Sequence, residues 1–261
     1  MLITLTSDFG LVDGYVGVLK AVILSIAPQA AIVDISHNIP AWDIRSANWV
    51  LRNSCHYFPA GTIHVAVVDP GVGSARRPIL LKGRQGIFIG PDNGIFSFVA
   101  EEDETMEAFE LTESKFWLPE VSSSFHGRDI FAPVAAHLSC GVTPAETGKR
   151  IESASLVKLS TRNLTRSCRQ VAGAVVYVDY FGNLITNLPA AAIEGGIECK
   201  VGDVVVAGPG VSYSSVAPGT LSAFVGSHGF LEVAVCQGRA DKVLKAGVGT
   251  KVSVALRDEV V

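Results

Sequence analysis

The stretch TIHVAVVDPGVG (residues 62–73) decides the fold class, because a continuous apolar run ends there in an Asp-Pro-Gly turn. Two further strand-like runs, at residues 3–6 and 31–35, precede it, and helical patterns separate the three runs. Apolar strands that alternate with helices are typical of a parallel sheet buried on both faces. We therefore predict an α/β N-terminal domain with a mainly parallel sheet, in which His64 is a packed core residue.

Two helical patterns follow the strands and bear on where polar residues fall. Apolar residues at positions 44, 47, 50 and 51 predict a helix over residues 42–58. A second pattern covers residues 130–138 and contains Pro133, which is tolerated only in the first turn of a helix. The second helix is therefore expected to begin near Asp129.

From about Gln170 the pattern changes to short Val- and Ala-rich runs between Gly and Pro turns: GAVVYVD, DVVVAG, LSAFVG, FLEVAV and KVSVAL. Helical spacing is weak in this part, so it predicts a smaller all-β domain, a sandwich or a barrel. We place the α/β domain at residues 1–165 and the barrel-like domain at residues 170–261. The boundary falls in the polar, basic stretch of residues 160–169.

Composition excludes several classes of protein. The 261 residues are 48% hydrophobic and 18% charged, which excludes a disordered chain. A net charge of -4, from 21 Lys and Arg against 25 Asp and Glu, argues against a nucleic-acid binder. No apolar run approaches the ~20 residues that span a bilayer. Five scattered cysteines without a C-x-x-C pair, and a start without a secretory signal, predict a reduced, cytoplasmic protein.

Polar clusters follow the three predicted strands at their carboxyl ends, where open α/β sheets bind ligands. Asp8 follows the first strand, residues 36–38 (SHN) follow the second, and residues 69–73 (DPGVG) follow the third. No G-x-G-x-x-G fingerprint, phosphate-binding loop or G-x-S-x-G nucleophile elbow accompanies them. A standard dinucleotide site is therefore not expected.

Each of these polar residues also has a structural interpretation. Asp8 either caps the next helix or accepts hydrogen bonds from a vicinal diol such as a ribose. Asp69 either forms a turn with Pro70 or faces a ligand, and Arg76 is either a surface cation or holds a small nucleophile beside Asp69. His126 lies at a helix start, which would favour a neutral ring. A metal site of Asp69, His126 and Asp92 is a further alternative, although no paired-ligand spacing supports it.

In the second part, two polar segments join strands. Residues 177–183 (YVDYFGN) run from a strand end into a turn, and residues 226–229 (GSHG) read as a tight turn in which Gly supplies a positive φ. Both are plausible hairpin turns. Both also place polar groups at a domain edge, where clefts between domains form.

The order of short motifs along the chain resembles one family. Together they resemble the S-adenosylmethionine hydroxide adenosyltransferases, which are adenosine-forming S-adenosylmethionine hydrolases related to the bacterial fluorinase and chlorinase. The motifs are SDFG (7–10), IPAWD (39–43), VVDPGVGSARRP (67–78), GPDNG (90–94), FHGRDIFAP (125–133), YFGNLITN (180–187) and GSHGFLEVAV (226–235). They cover nearly the whole chain.

The resemblance implies an assembly and a reaction. It implies a homotrimer, with each site between the N-terminal domain of one subunit and the C-terminal domain of its neighbour. It implies that S-adenosyl-L-methionine and water give adenosine and L-methionine, with no cofactor and no metal. The charge balance and the short apolar runs already predict no nucleic-acid partner and no membrane partner.

The resemblance also implies residue roles. The catalytic set around the water is Asp69, Arg76 and His126, in which Arg76 favours hydroxide character and either Asp69 or His126 accepts the proton. The substrate-binding positions are Asp8 at the ribose, Trp42 packing on the ligand, Asp179 and Ser227 at the methionine amine, Asn183 at the adenine, Phe125 and Tyr213 as aromatic neighbours, His228 beside the serine, and the main chain near Cys236 and Gln237 at the adenine.

This sequence departs from the related halogenases at three places. Their neutral, hydroxyl-bearing halide pocket is replaced by DPGVG, and a carboxylate there would repel a halide ion, so water is preferred as nucleophile. His228 stands where the halogenases have Arg, and Cys236 where Asn is usual. The competing hypotheses are a non-catalytic adenosyl-ligand binding protein, a halogenase and a metal-dependent hydrolase.

Overall fold

The computed structural model describes residues 1–160, 164–210 and 216–256. The chain divides into two compact units, Met1–Leu159 and Ser160–Val261, so the prediction of two domains is confirmed. Tyr213, a predicted substrate-binding residue, lies outside the described residues. Among the helices of the described residues, none combines the length and apolar character needed to cross a membrane.

The first unit alternates strands and helices before it turns to antiparallel pairing. Its strands are β1 Leu2–Ser7, β2 Ala31–Ser36, β3 Thr62–Val67, β4 Pro78–Lys82, β5 Gly86–Pro91, β6 Glu107–Leu111 and β7 Gly148–Ile151. Its helices are α1 Tyr15–Ile26, α2 Ile44–Ser54, α3 Ser97–Glu102 and α4 Ala132–Ser139.

The sheet of the first unit is mixed, and the prediction of a mainly parallel sheet is wrong in this respect. Its order is β2-β1-β3-β5-β4-β6-β7. The pairings β1–β2, β1–β3 and β3–β5 are parallel, whereas β4–β5, β4–β6 and β6–β7 are antiparallel. The reason lies at residues 83–85, because a connection this short joins neighbouring strands only as an antiparallel hairpin.

Helices cover both faces of this sheet, as the continuous apolar strands predict. Leu19 and Phe131 belong to the buried cluster on one face, and Leu51 and Phe98 belong to the cluster on the other. His64 is fully buried, stacks on a phenylalanine ring and accepts or donates a 2.8 Å hydrogen bond between its Nδ1 and the Thr4 hydroxyl. Its interpretation as a core residue is confirmed.

Helix α2 begins two residues later than the periodicity predicts. Asp43 caps it, because one carboxylate oxygen accepts the Ser46 N–H at 3.0 Å and the other accepts the Ser46 hydroxyl at 2.6 Å. Trp42 is thereby left outside the helix, with a φ of +65°. A bulky side chain rarely adopts this left-handed conformation, so the local backbone is strained.

The helix expected to begin near Asp129 instead starts with a π-helical turn at Gly127–Phe131, followed by α4. Pro133 lies in the first turn of α4, where its missing N–H costs no hydrogen bond. Such π turns are frequent at functional sites.

The second unit is an antiparallel, barrel-like sheet. Its strands are β8 Thr165–Arg166, β9 Gln170–Val178, β10 Leu184–Pro189, β11 Gly196–Val201, β12 Val204–Gly210, β13 Leu221–Val225, β14 Phe230–Val235 and β15 Lys251–Leu256, and a short helix α5 covers Ala240–Val243. The order β10-β14-β13-β12-β11-β15-β9-β8 is closed by a further β10–β9 pairing. The predicted barrel-like character is confirmed, although β12 and β13 pair in parallel.

Candidate functional site

A cleft of about 480 Å³ opens at the carboxyl ends of β1, β2 and β3 in the first unit. It is lined among others by Asp8, Trp42, Asp69, Phe125 and His126, which all come from the predicted set. The strands run in parallel, so the segments that follow them meet at one edge of the sheet. The structure therefore brings these five side chains together from distant parts of the sequence.

Asp69 and Arg76 form a nearly buried ion pair at this edge, with side chains that are 4% and 9% exposed. Nε of Arg76 donates to both carboxylate oxygens, at 3.0 and 2.9 Å, and Nη2 donates to Oδ2. Such a bidentate pair fixes the carboxylate plane as well as its charge. The interpretation of Arg76 as a mere surface cation is wrong.

Arg76 also reaches His126. Its Nη2 lies 2.8 Å from Nδ1 of His126. Because a guanidinium only donates, Nδ1 must accept, and the neutral ring then carries its proton on Nε2. Nη1 of Arg76 is buried and has no hydrogen-bond partner among the described residues, so it remains a free donor.

The pKa of His126 is lowered, as the sequence predicts, but for a different reason. Burial is the largest cause, and the positive charge of Arg76 comes next, while the charges of Asp69 and Asp129 act in the opposite direction. The helix start proposed from the sequence is not needed to explain the shift. The ring is therefore neutral at neutral pH.

The loop before His126 is held by a buried carboxylate. Asp129, which is fully buried, accepts the Ser122 N–H at 2.8 Å and the Ser122 hydroxyl at 2.7 Å. Arg128 donates to the same carboxylate at 2.6 Å and lies 5.2 Å from the centre of the Phe125 ring. These contacts fix the orientation of the Phe125-His126 segment at the cleft.

Asp8 does not cap α1, so that alternative is wrong. The residue before α1 is Gly14, whereas Oδ2 of Asp8 accepts the backbone N–H of Trp42 at 2.8 Å. This bond joins the segment after β1 to the segment after β2. A carboxylate has about four acceptor positions, so Asp8 retains capacity for hydroxyl donors of a ligand.

Two aromatic residues of the cleft escaped the sequence analysis. Phe9 and Tyr15 pack against the predicted Phe125, with ring centres between 5.4 and 5.7 Å apart. Tyr15 is 50% exposed, which is unusual for a ring packed in an aromatic cluster. Both rings lie in residues 9–15 (FGLVDGY), an unusually apolar segment for a turn that follows directly after Asp8, and this pattern is the signal in the sequence.

The second unit contains a separate cleft of about 690 Å³, lined by Phe181, Asn183, Gln237 and Arg239 among others. Asn183 is buried, and its Nδ2 donates to Oδ2 of Asp179 at 2.9 Å, while its N–H donates to Oδ1 at 2.8 Å. Asp179 therefore orients the side-chain amide of Asn183 at the edge of this cleft. Phe181 and Arg239 were not predicted.

The remaining predicted residues of this unit lie on two turns. Ser227 and His228 are exposed on the turn between β13 and β14, where the Gly226 N–H donates to the Phe230 carbonyl at 2.9 Å. The predicted tight turn is confirmed. The Cys236 N–H donates to the Thr220 carbonyl, and the Cys236 carbonyl accepts the Gly219 N–H. Both main-chain groups of Cys236 therefore have hydrogen-bond partners within the second unit. Gln237 has a φ of +54°.

The geometry gives the metal alternative no support. Among the described residues, no group of three His, Cys, Asp or Glu side chains is placed to hold a metal ion. Asp92, which that alternative requires, is nearly buried and accepts Nε and Nη2 of Arg77 at 2.9 and 2.6 Å. Its other oxygen accepts the Val157 N–H at 2.9 Å.

Comparison with known proteins defines the family of the chain and shows several of its relatives. The chain belongs to the SAM hydroxide adenosyltransferase family, because the model of its N-terminal domain matches residues 3–148 and that of its C-terminal domain matches residues 173–253. A (R)-S-adenosyl-L-methionine hydrolase of Thermus thermophilus is 40% identical over 91% of this chain and 93% of its own length. A fluorinase of Actinoplanes sp. is more distant, at 28% identity over 74% and 73%.

A solved structure supports the same relationship. An uncharacterized conserved protein from Thermotoga maritima superposes with a TM-score of 0.89 and 37% identity, over 98% of this chain and 100% of that one. The similarity covers both units of the chain. The family resemblance read from the seven motifs is therefore confirmed.

Proposed function

We propose that the protein hydrolyses S-adenosyl-L-methionine to adenosine and L-methionine. The observation that carries this function is the Asp69–Arg76–His126 cluster at the ligand cleft, in a chain similar to S-adenosyl-L-methionine hydrolases. The reaction needs a water placed in line with the C5′–S bond. It needs no general acid, because the sulfonium leaves as neutral methionine.

The contacts of His126 favour Asp69 as the proton acceptor. Nδ1 of His126 accepts from Arg76, so its Nε2 carries a proton and donates to the water oxygen rather than taking a proton from it. Asp69 accepts the water proton while the oxygen forms its bond to C5′ and the C5′–S bonding pair leaves with sulfur. The net products are adenosine, methionine and one proton. A positioned base of this kind contributes about 10²–10⁴-fold to the rate.

Substrate binding extends the proposal to the other predicted residues. Asp8 holds the ribose diol, Trp42 and Phe125 pack against the ligand, and Asn183 faces the adenine. Support comes from their places in the two clefts and from the free acceptor capacity of Asp8. Gln237 also lines the second cleft, whereas the roles of Asp179, Tyr213, Ser227, His228 and Cys236 rest on the resemblance alone.

The substrate is expected to be the (R) epimer at sulfur. The relative from Thermus thermophilus is named for that epimer, and this chain is 40% identical to it. The epimers differ in the direction of the S-methyl group, and an aromatic-lined cleft discriminates such a difference through steric fit. Adenosine as the product excludes neither epimer by itself, so each must be tested separately.

Chromatography of the products tests this function. Each purified epimer is incubated with the protein, with and without added chloride or fluoride, and with a chelator in a parallel sample. We expect adenosine and methionine in equal amounts, faster from the (R) epimer, with no effect of halide or chelator. Unchanged substrate would favour a binding protein, a halogenated adenosine a halogenase, and loss of activity with the chelator a metal-dependent hydrolase.

The assembly is proposed to be a homotrimer in which neighbouring copies complete each site. Large exposed rings support an interface, since Trp42, Tyr180 and Phe181 are 73%, 87% and 68% exposed. Light scattering should give about three times the 27.5 kDa chain mass. Mixing inactive Asp69→Asn and Asp179→Ala subunits should restore about a quarter of the sites if they are shared. A monomer, or no complementation, would contradict the proposal.

A further inference from the structure

Ser7, the residue before Asp8, begins a Ser–His–Asp chain of side-chain contacts that includes none of the residues assigned above. The Ser7 hydroxyl lies 2.7 Å from Nδ1 of His37, and Nε2 of His37 lies 3.1 Å from Oδ1 of Asp34. Lys20 donates to the other oxygen of Asp34 at 2.6 Å. The three residues come from β1, from β2 and from the segment that follows β2.

This chain is not a nucleophilic triad of the serine-hydrolase type. Ser7 has no exposed surface and His37 is only 4% exposed, so a substrate carbonyl has no access to the hydroxyl. The ring of His37 is held between two side chains. Phe9 N–H donates to the Ser7 oxygen at 3.3 Å, the Ser7 hydroxyl and Nδ1 of His37 share the 2.7 Å hydrogen bond, and Nε2 lies within ion-pair distance of Asp34.

The charge at the end of the chain is fixed. Burial alone would raise the pKa of Asp34, but the hydrogen bond from Lys20 and the contact with His37 hold it below the ordinary value of 3.8. Asp34 is therefore ionised at neutral pH, and its carboxylate faces Nε2 of His37 at 3.1 Å.

His37 connects the segment after β2 to the segment after β1, which contains the predicted ribose-binding residue Asp8. Its carbonyl accepts the Gly10 N–H at 2.8 Å, and its ring holds Ser7, so residues on both sides of Asp8 are fixed to it. The Ser7 carbonyl in turn accepts the Ile39 N–H at 3.4 Å, ahead of Trp42, whose N–H binds Asp8. These contacts fix the backbone on both sides of Asp8 and one oxygen of its carboxylate.

We propose that Ser7, His37 and Asp34 are positioning residues that hold the Asp8 carboxylate in the orientation needed to bind a ribose diol. This inference rests on the proposed function, in which Asp8 binds the ribose. It predicts a selective effect: loss of the chain weakens ligands that use the diol and leaves others unchanged. It also predicts a rise in KM with little change in kcat, because the water cluster is not touched.

The fold offers a matched control. Thr4 lies on the same strand, and its buried hydroxyl makes a 2.8 Å hydrogen bond to Nδ1 of His64, as Ser7 does to His37. Thr4→Val removes that hydroxyl without changing side-chain shape. Both variants lose one buried hydroxyl–imidazole bond, so a general loss of stability affects both alike, whereas only Ser7→Ala reaches Asp8.

The experiment compares two ligands by calorimetry in the full-length protein. For Ser7→Ala we expect adenosine affinity to fall about three- to tenfold, as for one lost hydrogen bond, and 2′,3′-dideoxyadenosine affinity to stay within about twofold. Thr4→Val should leave both affinities unchanged. If Ser7→Ala does not fold, Asp34→Ala replaces it, and the same selective loss of adenosine affinity is expected. Equal losses for both ligands, or no loss for adenosine, would overturn the proposal.

A ligand-independent measurement separates this inference from the proposed function. The amide N–H groups of Gly10 and Trp42, which donate to the His37 carbonyl and to Asp8, should exchange with solvent faster in Ser7→Ala than in the wild type or Thr4→Val, and equal exchange would overturn the positioning role. If the wild-type protein binds adenosine with this selectivity but does not hydrolyse S-adenosylmethionine, the positioning chain stands and the proposed function fails. If the wild-type protein hydrolyses the substrate and Ser7→Ala lowers kcat without raising KM, the proposed function stands and the positioning role fails.

Discussion

Replacing Asp69 by Asn separates the catalytic contribution of this carboxylate from its structural one. The amide keeps the shape but cannot accept a proton, so kcat should fall by about 10²–10⁴. At 1.36 kcal/mol per decade this is about 3–5 kcal/mol of transition-state stabilisation. KM should change little, because the ribose and adenine contacts involve other residues. Steady-state rates of adenosine release measure both constants.

The same substitution also breaks a nearly buried ion pair, with side chains 4% and 9% exposed, and such a loss costs about 3–5 kcal/mol of folding stability. Asp92→Asn provides the matched control, because Asp92 pairs with the adjacent Arg77 through a side chain that is 3% exposed. Both variants should lose stability in denaturant titrations, but only Asp69→Asn should lose turnover. Equal losses of kcat in the two variants, or an unchanged kcat in Asp69→Asn, would refute the assignment.

Three further outcomes follow from the geometry. Asp8→Ala should raise KM by about 10- to 100-fold with kcat nearly unchanged, as for a lost charged hydrogen bond, and a selective fall in kcat would contradict this. Burial lowers the pKa of His64 to about 4, so the unfolded chain takes up the proton first, and unfolding free energy should fall by about 3 kcal/mol from pH ~6.5 to ~4. Urea titrations of the wild type and His64→Gln at several pH values test this. An equal dependence of unfolding free energy on pH in the two proteins would contradict it. Gly182→Ala places a Cβ 2.5 Å from a carboxylate oxygen, whereas Gly195→Ala meets nothing within 4 Å. Both glycines have positive φ, so the backbone strain of the two substitutions is similar. Only Gly182→Ala also displaces side chains next to Asn183 and Arg239 of the second cleft, so only this variant should weaken adenosine binding in calorimetry.

The sequence predicts the site better than it predicts the sheet. The polar residues that follow β1 and β3 do meet at one edge, because the carboxyl ends of parallel strands coincide. The sequence predicts two short strands at residues 79–82 and 87–89, but the insertion of this hairpin beside β3 depends on tertiary pairing. Local periodicity carries no information on which strand is the neighbour.

Other features of the site were hidden because they depend on contacts between distant residues. The bond from Arg76 to His126 spans 50 positions, and the contact of Ser7 with His37 spans 30. A lone histidine such as His37 is most often structural, so its residue type assigns it no function. Strands β10 and β11 were missed because their apolar residues are interrupted by polar ones. The strained conformation of Trp42 likewise has no signature in its neighbours.

Hydrolysis in ¹⁸O-labelled water tests the central claim most directly. If the cluster of Asp69, Arg76 and His126 directs one water at C5′, the adenosine formed carries one ¹⁸O atom at the 5′ position and the methionine carries none. Mass spectrometry of both products reads this out in a single turnover experiment, with Asp69→Asn as the silent control. Label in methionine, or unlabelled adenosine, would contradict the mechanism.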